Sequence, residues 1–360
     1  MLSHDDLTDL YADLRDRDVL SVYIDGDQHD PAERQVWRTR LEAALANRRR
    51  EIEGTGNGSI EAFETARDRL LGALKGYHRF MPDRGWVGFA TPDGVAHAGF
   101  VPVPMPDLVA WERGLRAAPY VRALKQERPV VVALVDRHHA RIFSYREGEV
   151  TRTDEFRAGS ELDAASPAQS SRRSGERSGT RGNAHEDARR QVEVRAERML
   201  REVVACVETR AGSDGFVVVG GTRETGAHLM QALDATLRER AIELRSLHLE
   251  MTPAELREPT EDAATLLTQR FQDRLVTQII DRARARGRGV LCEDATTRAL
   301  RERRVDTLVL SRGFINEHTD HADRMIGTAF DQGADVEELS GPGADRIDAE
   351  GDGVGALLRW

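Results

Sequence analysis

The chain has 360 residues, of which 39% are hydrophobic and 32% charged, and its formal net charge at pH 7 is −10. This length suits two or three soluble globular domains, and no segment approaches the roughly 18 consecutive apolar residues of a membrane helix. The acidic start, with Asp5, Asp6 and Asp9, lacks the basic and apolar runs of a signal peptide. Two distant cysteines, Cys206 and Cys292, exclude a multi-cysteine zinc cage and are typical of a reducing compartment. We therefore predict a cytoplasmic protein without a cofactor, a metal or a membrane partner.

Arginine dominates the basic residues. Of 52 lysines and arginines, only Lys75 and Lys125 are lysines. The planar guanidinium group suits phosphate binding and base stacking, although a GC-rich genome also favours arginine codons. The negative net charge argues against indiscriminate binding to nucleic acid. Any RNA-binding role must therefore come from local clusters of arginine.

Residues 1–126 are predicted to form a first α/β domain. Its strongest strand signals are Leu20–Asp25 and two apolar runs, Gly85–Ala90 and Val95–Phe100, which flank Asp93-Gly94. An Asp-Gly pair between apolar runs is a strong signal for a β-hairpin. Helical patterns cover residues 5–17, 33–53 and 60–74.

Residues 127–258 are predicted to form a middle α/β domain. Val130–Val135 is a continuous apolar run typical of a buried central strand, and the alternating segment His139–Tyr145 can pair with it. A helix from about Glu186 to Ala211 leads to a second buried strand, Gly215–Gly220. A helix at 225–240, a strand at 244–249 and a capping box at 252–255 complete the prediction.

Residues 259–360 are predicted to form a third α/β domain. A long helix carries apolar residues at helical spacing from Leu266 to Ile280, and the strand Val305–Leu310 follows a helix near Thr296–Arg304. A helix at 321–331, a short strand at 336–339 and a closing segment at 351–360 follow. Because strands alternate with helices throughout, the predicted fold class is α/β with three small domains.

An arginine-rich loop is predicted inside the middle domain, at residues 166–185. It reads SPAQSSRRSGERSGTRGNAH, with five serines, three glycines and no large apolar residue. Such a segment buries too little apolar surface to offset its ordering entropy, and loops of this length within a domain are often functional. We interpret it as a mobile RNA-binding loop, with a solvated linker as the alternative. Its arginines are Arg172, Arg173, Arg177 and Arg181, and Arg189 and Arg190 stand at the start of the following helix.

The order of these segments resembles the bacterial branch of the archaeal–eukaryotic peptide release factor and Pelota superfamily, which includes Balon-like hibernation factors and peptidyl-tRNA hydrolase-like relatives. In the middle domain the resemblance lies in VVVALVDRHHARIFSY, ARRQVEVRAERMLREVV and GFVVVGGT. In the third domain it lies in ALRERRVDTLVLSRGF and the ending GDGVGALLRW, and in the first domain in SVYID alone. The succession of these segments, over about two thirds of the chain, carries the resemblance.

The resemblance implies a tRNA-mimicking factor that binds the ribosomal A site. The first domain would face the decoding centre, and the middle domain would carry its loop to the peptidyl-transferase centre. The third domain, of the kink-turn-binding ribosomal-protein-like type, would face the factor-binding side. The implied partners are the ribosome, through ribosomal RNA and P-site tRNA, and a translational GTPase. The chain would act as a monomer.

The loop departs from the family pattern at the catalytic motif. Release factors carry Gly-Gly-Gln at the loop tip, whereas this chain reads Gly179-Thr-Arg-Gly182-Asn183-Ala-His185. The Asn183 amide is one methylene shorter than glutamine, and catalysis is sensitive to misplacement of about 1 Å. This difference favours ribosome hibernation or rescue without hydrolysis. A peptidyl-tRNA hydrolase with a divergent loop is the alternative, with Asn183 as its catalytic candidate. Gly182, Asn183 and His185 join the predicted RNA-binding residues through this correspondence.

A glycine-rich turn at Gly220–Gly226 follows a strand and opens a helix, where phosphates often bind. It lacks both the Lys-Ser/Thr of a P-loop and the Gly-x-Gly-x-x-Gly order. A tight strand–helix turn is therefore the preferred interpretation, and a nucleotide-binding α/β enzyme is a further alternative.

Two histidine pairs are candidate metal ligands. His318 and His321 are three residues apart, but Asp320 between them is predicted to cap the following helix. His138 and His139 are adjacent on a predicted strand and so point to opposite faces. We predict structural or RNA-facing histidines and no metal site.

Overall fold

The computed structural model describes residues 1–26, 36–55, 60–77, 81–146, 148–158 and 181–360, and of residues 181–192 the backbone. These residues form two compact units, one comprising 1–127 with 272–360 and the other 128–271. The expected α/β class is confirmed, because strands of the described residues form three sheets flanked by helices. None of the helices described combines the length and apolarity that crossing a membrane would take.

The first sheet of unit 1 is antiparallel, with the order β3-β2-β1-β4. Its strands are β1 Asp18–Asp25, β2 Gly85–Ala90, β3 Val95–Val101 and β4 Leu108–Arg113. The helices of this part are α1 His4–Leu14, α2 Val36–Thr55, α3 Ile60–Ala73 and α4 Ala118–Gln126. The predicted Asp-Gly hairpin is confirmed between β2 and β3. Alternate β1 residues enter different cores, Leu20 with α2 and α3, and Val19 with α4, which explains why the strand is apolar on both faces.

The second sheet of unit 1 has the order β10-β13-β11-β12, with β11 and β12 parallel. Its strands are β10 Gly289–Leu291, β11 Val305–Ser311, β12 Asp335–Leu339 and β13 Val354–Leu358. The helices are α9 Glu293–Arg301, α10 Arg312–Glu317, α11 Thr319–Asp331 and α12 Pro342–Gly351. One hydrophobic cluster joins both parts of the unit, with Phe89 and Tyr120 packed in the same core as Leu308 and Ile326. The segments predicted as first and third domains therefore share buried surface.

Unit 2 contains a mixed sheet of order β7-β6-β5-β8-β9, in which β5, β8 and β9 are parallel. The strands are β5 Val130–Val135, β6 His139–Arg146, β7 Glu149–Arg157, β8 Phe216–Gly221 and β9 Ala241–Glu243. The helices are α5 Arg181–Ala211, α6 Arg223–Ala232, α7 Ala235–Arg238 and the start of α8 Pro253–Arg284. β5 is buried along its whole length because helices cover both faces of the sheet, as its continuous apolar run predicted.

The segment between β8 and α8 differs in part from its prediction. The single helix at 225–240 is two helices, because Asp234 caps α7 with its side chain on the Leu237 N–H. The prediction of a strand at 244–249 is wrong. The parallel edge strand β9 ends at Glu243, and the chain then turns, with the Leu247 N–H donating to the Leu244 carbonyl. The predicted capping box of α8 is confirmed between Thr252 and Glu255. The predicted division at residues 258 and 259 lies inside α8, and the three-domain organisation stays a prediction.

Candidate functional site

The candidate site lies at one end of the sheet in unit 2. Because β5 and β8 are parallel, their carboxyl ends meet there, with Val135 paired to Gly221. The antiparallel strands β6 and β7 begin and end at the same place, with His139 paired to Arg157. The main chain then passes Ala158, whose N–H donates to the His138 carbonyl at 2.8 Å. The segment that contains the predicted loop therefore starts at the same end of the sheet as the glycine-rich turn, which lies three strands away.

The predicted loop residues Arg172, Arg173 and Arg177 lie outside the described residues. Helix α5 begins at Arg181, five residues before the predicted Glu186. Arg181, Gly182, Asn183 and His185 thus belong to the helical backbone rather than to the loop, as do Arg189 and Arg190. Good helix formers such as Ala184, Glu186 and Arg189 allow the anchored helix to extend backwards. The side chains of these residues are outside the described part, and their RNA-binding role stays a prediction.

Helix α5 is anchored to the sheet by its carboxyl half. Met199, Val203 and Val207 are spaced four residues apart and are buried against β5 and β8. From Glu193, which lies at the sheet end, the helix continues toward its first residue for 12 residues, or ~18 Å at 1.5 Å per residue. The backbone of α5 is therefore helical for about three further turns beyond Glu193.

The glycine-rich turn is a close contact between main chains. Gly221 has φ +107°, and a Cβ there would lie 1.9 Å from the Val135 carbonyl oxygen. A Cβ on Gly220 would lie 2.5 Å from Leu247 Cβ. The Thr222 N–H donates to the Val135 carbonyl at 2.9 Å. The glycines are therefore needed for packing, as the interpretation of a tight turn requires.

A cavity of about 290 Å³ lies between α5, α6 and the turn that follows β5. Its floor is partly apolar, with Ala196, Met199 and Leu200. Its polar lining comprises Asp136, Arg137, Glu193, Glu197, Glu224, Thr225 and His228. Four carboxylates thus face one arginine, and that arginine is paired with Glu224 at 3.4 Å. Nucleotide phosphates would be repelled here, which weighs against a nucleotide-binding enzyme.

In the turn between β5 and β6, the Asp136 side chain binds the main chain of the histidine pair. Asp136 Oδ1 accepts hydrogen bonds from the main-chain N–H groups of His138 at 2.6 Å and His139 at 2.7 Å. His138 is exposed and His139 half-buried. Across the described residues, no group of three His, Cys, Asp or Glu side chains could hold a metal ion.

Of the second histidine pair, His321 contacts Glu293, and the intervening Asp320 belongs to an ion-pair cluster around Arg116 in unit 1. Arg116 Nε lies 3.2 Å from Asp323 Oδ2, and its Nη2 lies 3.0 Å from Asp320 Oδ1. His321 Nε2 lies 3.0 Å from Glu293 Oε1. The expectation that Asp320 caps α11 is wrong, because the N-cap residue is His318 and the Asp320 carboxylate pairs with Arg116 instead.

Burial and ion pairing change the pKa values of this cluster in opposite directions. Burial raises the pKa of Asp323 above its ordinary value, although the Arg116 guanidinium opposes the change. For Arg116, burial lowers the pKa, but Glu112 and Asp323 outweigh it and the net direction is upward. The cluster therefore holds two parts of unit 1 together and offers no free ligand set.

Sequence reasoning missed the acidic cavity, because its lining comes from separate segments between Asp136 and His228. The only local signal is the run of alternating charge on α5, with Glu193 and Glu197 four residues apart on one helix face. Their meeting with Asp136 and Glu224 depends on the pairing of β5 with β8, two strands that are distant in sequence.

Comparison with known proteins agrees with the resemblance. Residues 116–263 match the model of bacterial archaeo-eukaryotic release factor family 10, which confirms the resemblance over this part of the chain. A search of curated proteins gives no match.

Solved structures similar to this chain include the archaeal translation termination factor aRF1, at 15% identity and a TM-score of 0.28, over 100% of this chain and 99% of that one. Pelota of Archaeoglobus fulgidus is 15% identical, with a TM-score of 0.34 over 76% of this chain and 79% of that one. S. cerevisiae Dom34, a translation termination-like factor, is 7% identical, with a TM-score of 0.46 over 70% and 69% of the two chains.

Proposed function

We propose that this chain, whose residues 116–263 match a family of bacterial release factor-like proteins, is a tRNA-mimicking factor that binds the ribosomal A site in hibernation or rescue. The observation that supports this proposal most concerns the elements that flank the arginine-rich segment, residues 166–185, in the sequence. β7 ends at the sheet end described above, and α5, which contains residues 181–185, is anchored by Met199 and continues for ~18 Å beyond Glu193. A basic segment attached to such a helix can contact RNA at a distance from the sheet.

The acidic cavity at the same sheet end is unsuited to RNA. Its carboxylates, including Glu193 and Glu197, would be repelled by RNA phosphates. RNA contact is therefore expected at the arginine-rich segment and the first turns of α5, away from the cavity. The predicted middle domain of residues 127–258 would then point its loop toward the peptidyl-transferase centre, with the domain of residues 1–126 toward the decoding centre.

Ribosome binding is tested by co-sedimentation of purified protein with vacant ribosomes at about 50 and 200 mM salt. The variant R172Q/R173Q/R177Q should bind at least about tenfold more weakly than the wild type, because three phosphate contacts are lost. The slope of log affinity against log salt should fall by about 2–3. The matched control R69Q/R245Q/R324Q removes three exposed arginines elsewhere and should change affinity less than twofold. The proposal would be contradicted if the wild-type protein did not sediment with ribosomes, or if both variants lost ribosome affinity to the same extent.

Peptide release is tested with ribosomes that hold peptidyl-tRNA in the P site. We expect no release above background, because the loop lacks the family's Gly-Gly-Gln and Asn183 is too short to replace glutamine. Asn183→Ala should therefore leave this background level of release unchanged. Release that is abolished by Asn183→Ala would instead establish the peptidyl-tRNA hydrolase alternative.

A further inference from the structure

A second group of arginines lies in unit 1, at one end of its second sheet. Arg288 directly precedes β10, Arg304 directly precedes β11, and Arg359 directly follows β13. These three strands are neighbours in the order β10-β13-β11. The Leu358 N–H donates to the Arg288 carbonyl at 3.0 Å, and the Arg359 N–H donates to the Arg304 carbonyl at 2.8 Å. The topology therefore brings together arginines from three distant parts of this unit.

Two further arginines occupy the turns that lead into these strands. Arg286 follows the end of α8 with φ +51°, and Arg303 follows the end of α9 with φ +57°. The left-handed conformation costs a residue with a Cβ about 1–2 kcal/mol, and glycine is the usual choice just beyond a helix end. The chain keeps a cation at both positions although glycine would fit the backbone better. We call Arg286, Arg288, Arg303, Arg304 and Arg359 the arginine edge.

The arginine edge is positive in a chain whose net charge is −10. Arg286 and Arg288 are exposed, and within the described part of the chain neither forms an ion pair with a carboxylate. Arg303 lies 3.3 Å from Asp331 with its side chain 63% exposed, and Arg304 lies 3.0 Å from Glu302. Neighbouring Arg282, Arg298 and Arg301 add charge on the last turns of α8 and α9. The arginines named here therefore outnumber the two carboxylates that pair with them.

An exposed aromatic side chain accompanies the arginine edge. Trp360 is 63% exposed, and its carbonyl accepts a hydrogen bond from Arg304 Nη2 at 3.1 Å. Guanidinium groups bind phosphate oxygens through parallel N–H donors, and an exposed indole stacks on an unpaired base. An acidic protein could satisfy the guanidinium groups but would gain no stacking from the indole. RNA is therefore the ligand that uses both features.

We propose that the arginine edge binds the phosphate backbone of single-stranded RNA, with Trp360 stacking on a base. This surface is separate in sequence from the arginine-rich segment of unit 2 and gives the protein a second RNA contact. That the RNA is ribosomal rests on the proposed function, but RNA binding by the edge can be measured without ribosomes.

The test uses R286G/R303G in the R172Q/R173Q/R177Q background, in which binding by the other basic segment is weakened. The probe is a fluorescein-labelled single-stranded 20-nucleotide RNA, and its dissociation constant is measured by anisotropy over a range of salt. We expect about tenfold weaker binding and a salt slope lower by about 1.4, since each phosphate contact on a single strand contributes ~0.7. Because glycine relieves the left-handed strain, the melting temperature should stay equal or rise. Loss of affinity can then not be attributed to unfolding.

R69Q/R324Q in the same background is the charge-matched control and should bind within twofold of the background protein. Trp360→Ala should weaken binding at least about fivefold through lost stacking, with an unchanged salt slope. The proposal would be overturned if R286G/R303G had the same RNA affinity and the same salt slope as the control. Equal binding of polyglutamate and RNA would also overturn it, in favour of an acidic protein partner.

The ribosome assay separates this inference from the proposed function. Failure of the wild type to sediment with ribosomes, together with RNA binding that depends on the arginine edge, would reject the proposed function alone. Sedimentation that depends on Arg172, Arg173 and Arg177, together with RNA binding that is indifferent to R286G/R303G, would reject the arginine edge alone.

Discussion

Replacing Arg116 with leucine is expected to lower the free energy of unfolding by about 3–5 kcal/mol at pH 7. The guanidinium lies 3.2 Å from Asp323, whose side chain is 2% exposed, and 3.0 Å from Asp320. Leucine would leave the Asp323 carboxylate buried without the guanidinium that contacts it, and Asp323 Oδ1 already has no hydrogen-bond partner among the described residues. Loss of a charge from one side of a buried pair is costly because the remaining charge has lost its hydration. Urea unfolding of the purified protein measures the effect.

The pH dependence of this loss has a definite sign. Burial raises the pKa of Asp323 above 3.8 even with Arg116 in place, so the folded protein binds this proton more tightly than the unfolded chain. The favourable contribution of the group is complete below pH 3.8 and is lost as the pH rises through the folded-state pKa. Removal of Arg116 should raise that pKa further. The deficit of R116L should therefore shrink as the pH falls towards about 4.

Two variants test whether the buried charge of Asp323 causes the loss. R116L/D323N should recover most of the stability that R116L loses, because the buried charge is gone. R113L breaks the Arg113–Asp16 pair, whose side chains are 70% and 83% exposed, and should cost less than about 1 kcal/mol. A deficit in R116L that is independent of pH, or that persists in the double variant, would show that the buried charge is not its cause.

Local sequence patterns predicted the parts of the fold that have strong local signals. β5 and β8 were predicted because central strands covered on both faces are continuous apolar runs. The hairpin at Asp93-Gly94 and the capping box at Thr252 each depend on a few adjacent residues. β7 was missed because Glu149–Arg157 is an edge strand without a buried residue, so no apolar pattern marks it.

The candidate site could be predicted only where it is continuous in sequence. The composition of the loop indicated a basic segment, but the start of α5 at Arg181 depends on how far an anchored helix extends. The misassigned role of Asp320 has a similar origin, because its partner Arg116 is 204 residues away. The alternation of Arg282, Arg284, Arg286 and Arg288 is visible in the sequence. That these arginines lie close to Arg304 and Arg359 follows from the strand order, which cannot be predicted from sequence periodicity.

Replacing Gly221 with alanine is expected to lower the free energy of unfolding of unit 2 by about 3–5 kcal/mol, or to prevent folding. Gly221 has φ +107°, and the new Cβ would lie 1.9 Å from the Val135 carbonyl oxygen. Backbone strain of this kind costs about 1–3 kcal/mol by itself. The overlap adds to it, because relief requires moving β8 away from β5, where the Thr222 N–H donates to the same carbonyl at 2.9 Å.

Gly212→Ala separates strain from overlap. Gly212 also has a left-handed φ of +57°, but a Cβ there would meet nothing within 4 Å. Its substitution should cost only about 1–2 kcal/mol. Denaturant unfolding of both variants, followed by circular dichroism, compares the two values. Equal costs would mean that the close approach to Val135 is unimportant and would reopen the question of why the turn contains Gly220-Gly221. A much larger cost for Gly221→Ala would assign these glycines to the packing of β5 on β8. A phosphate-binding role would then not be needed to explain them, and ligands would be expected at the arginine-rich segments instead.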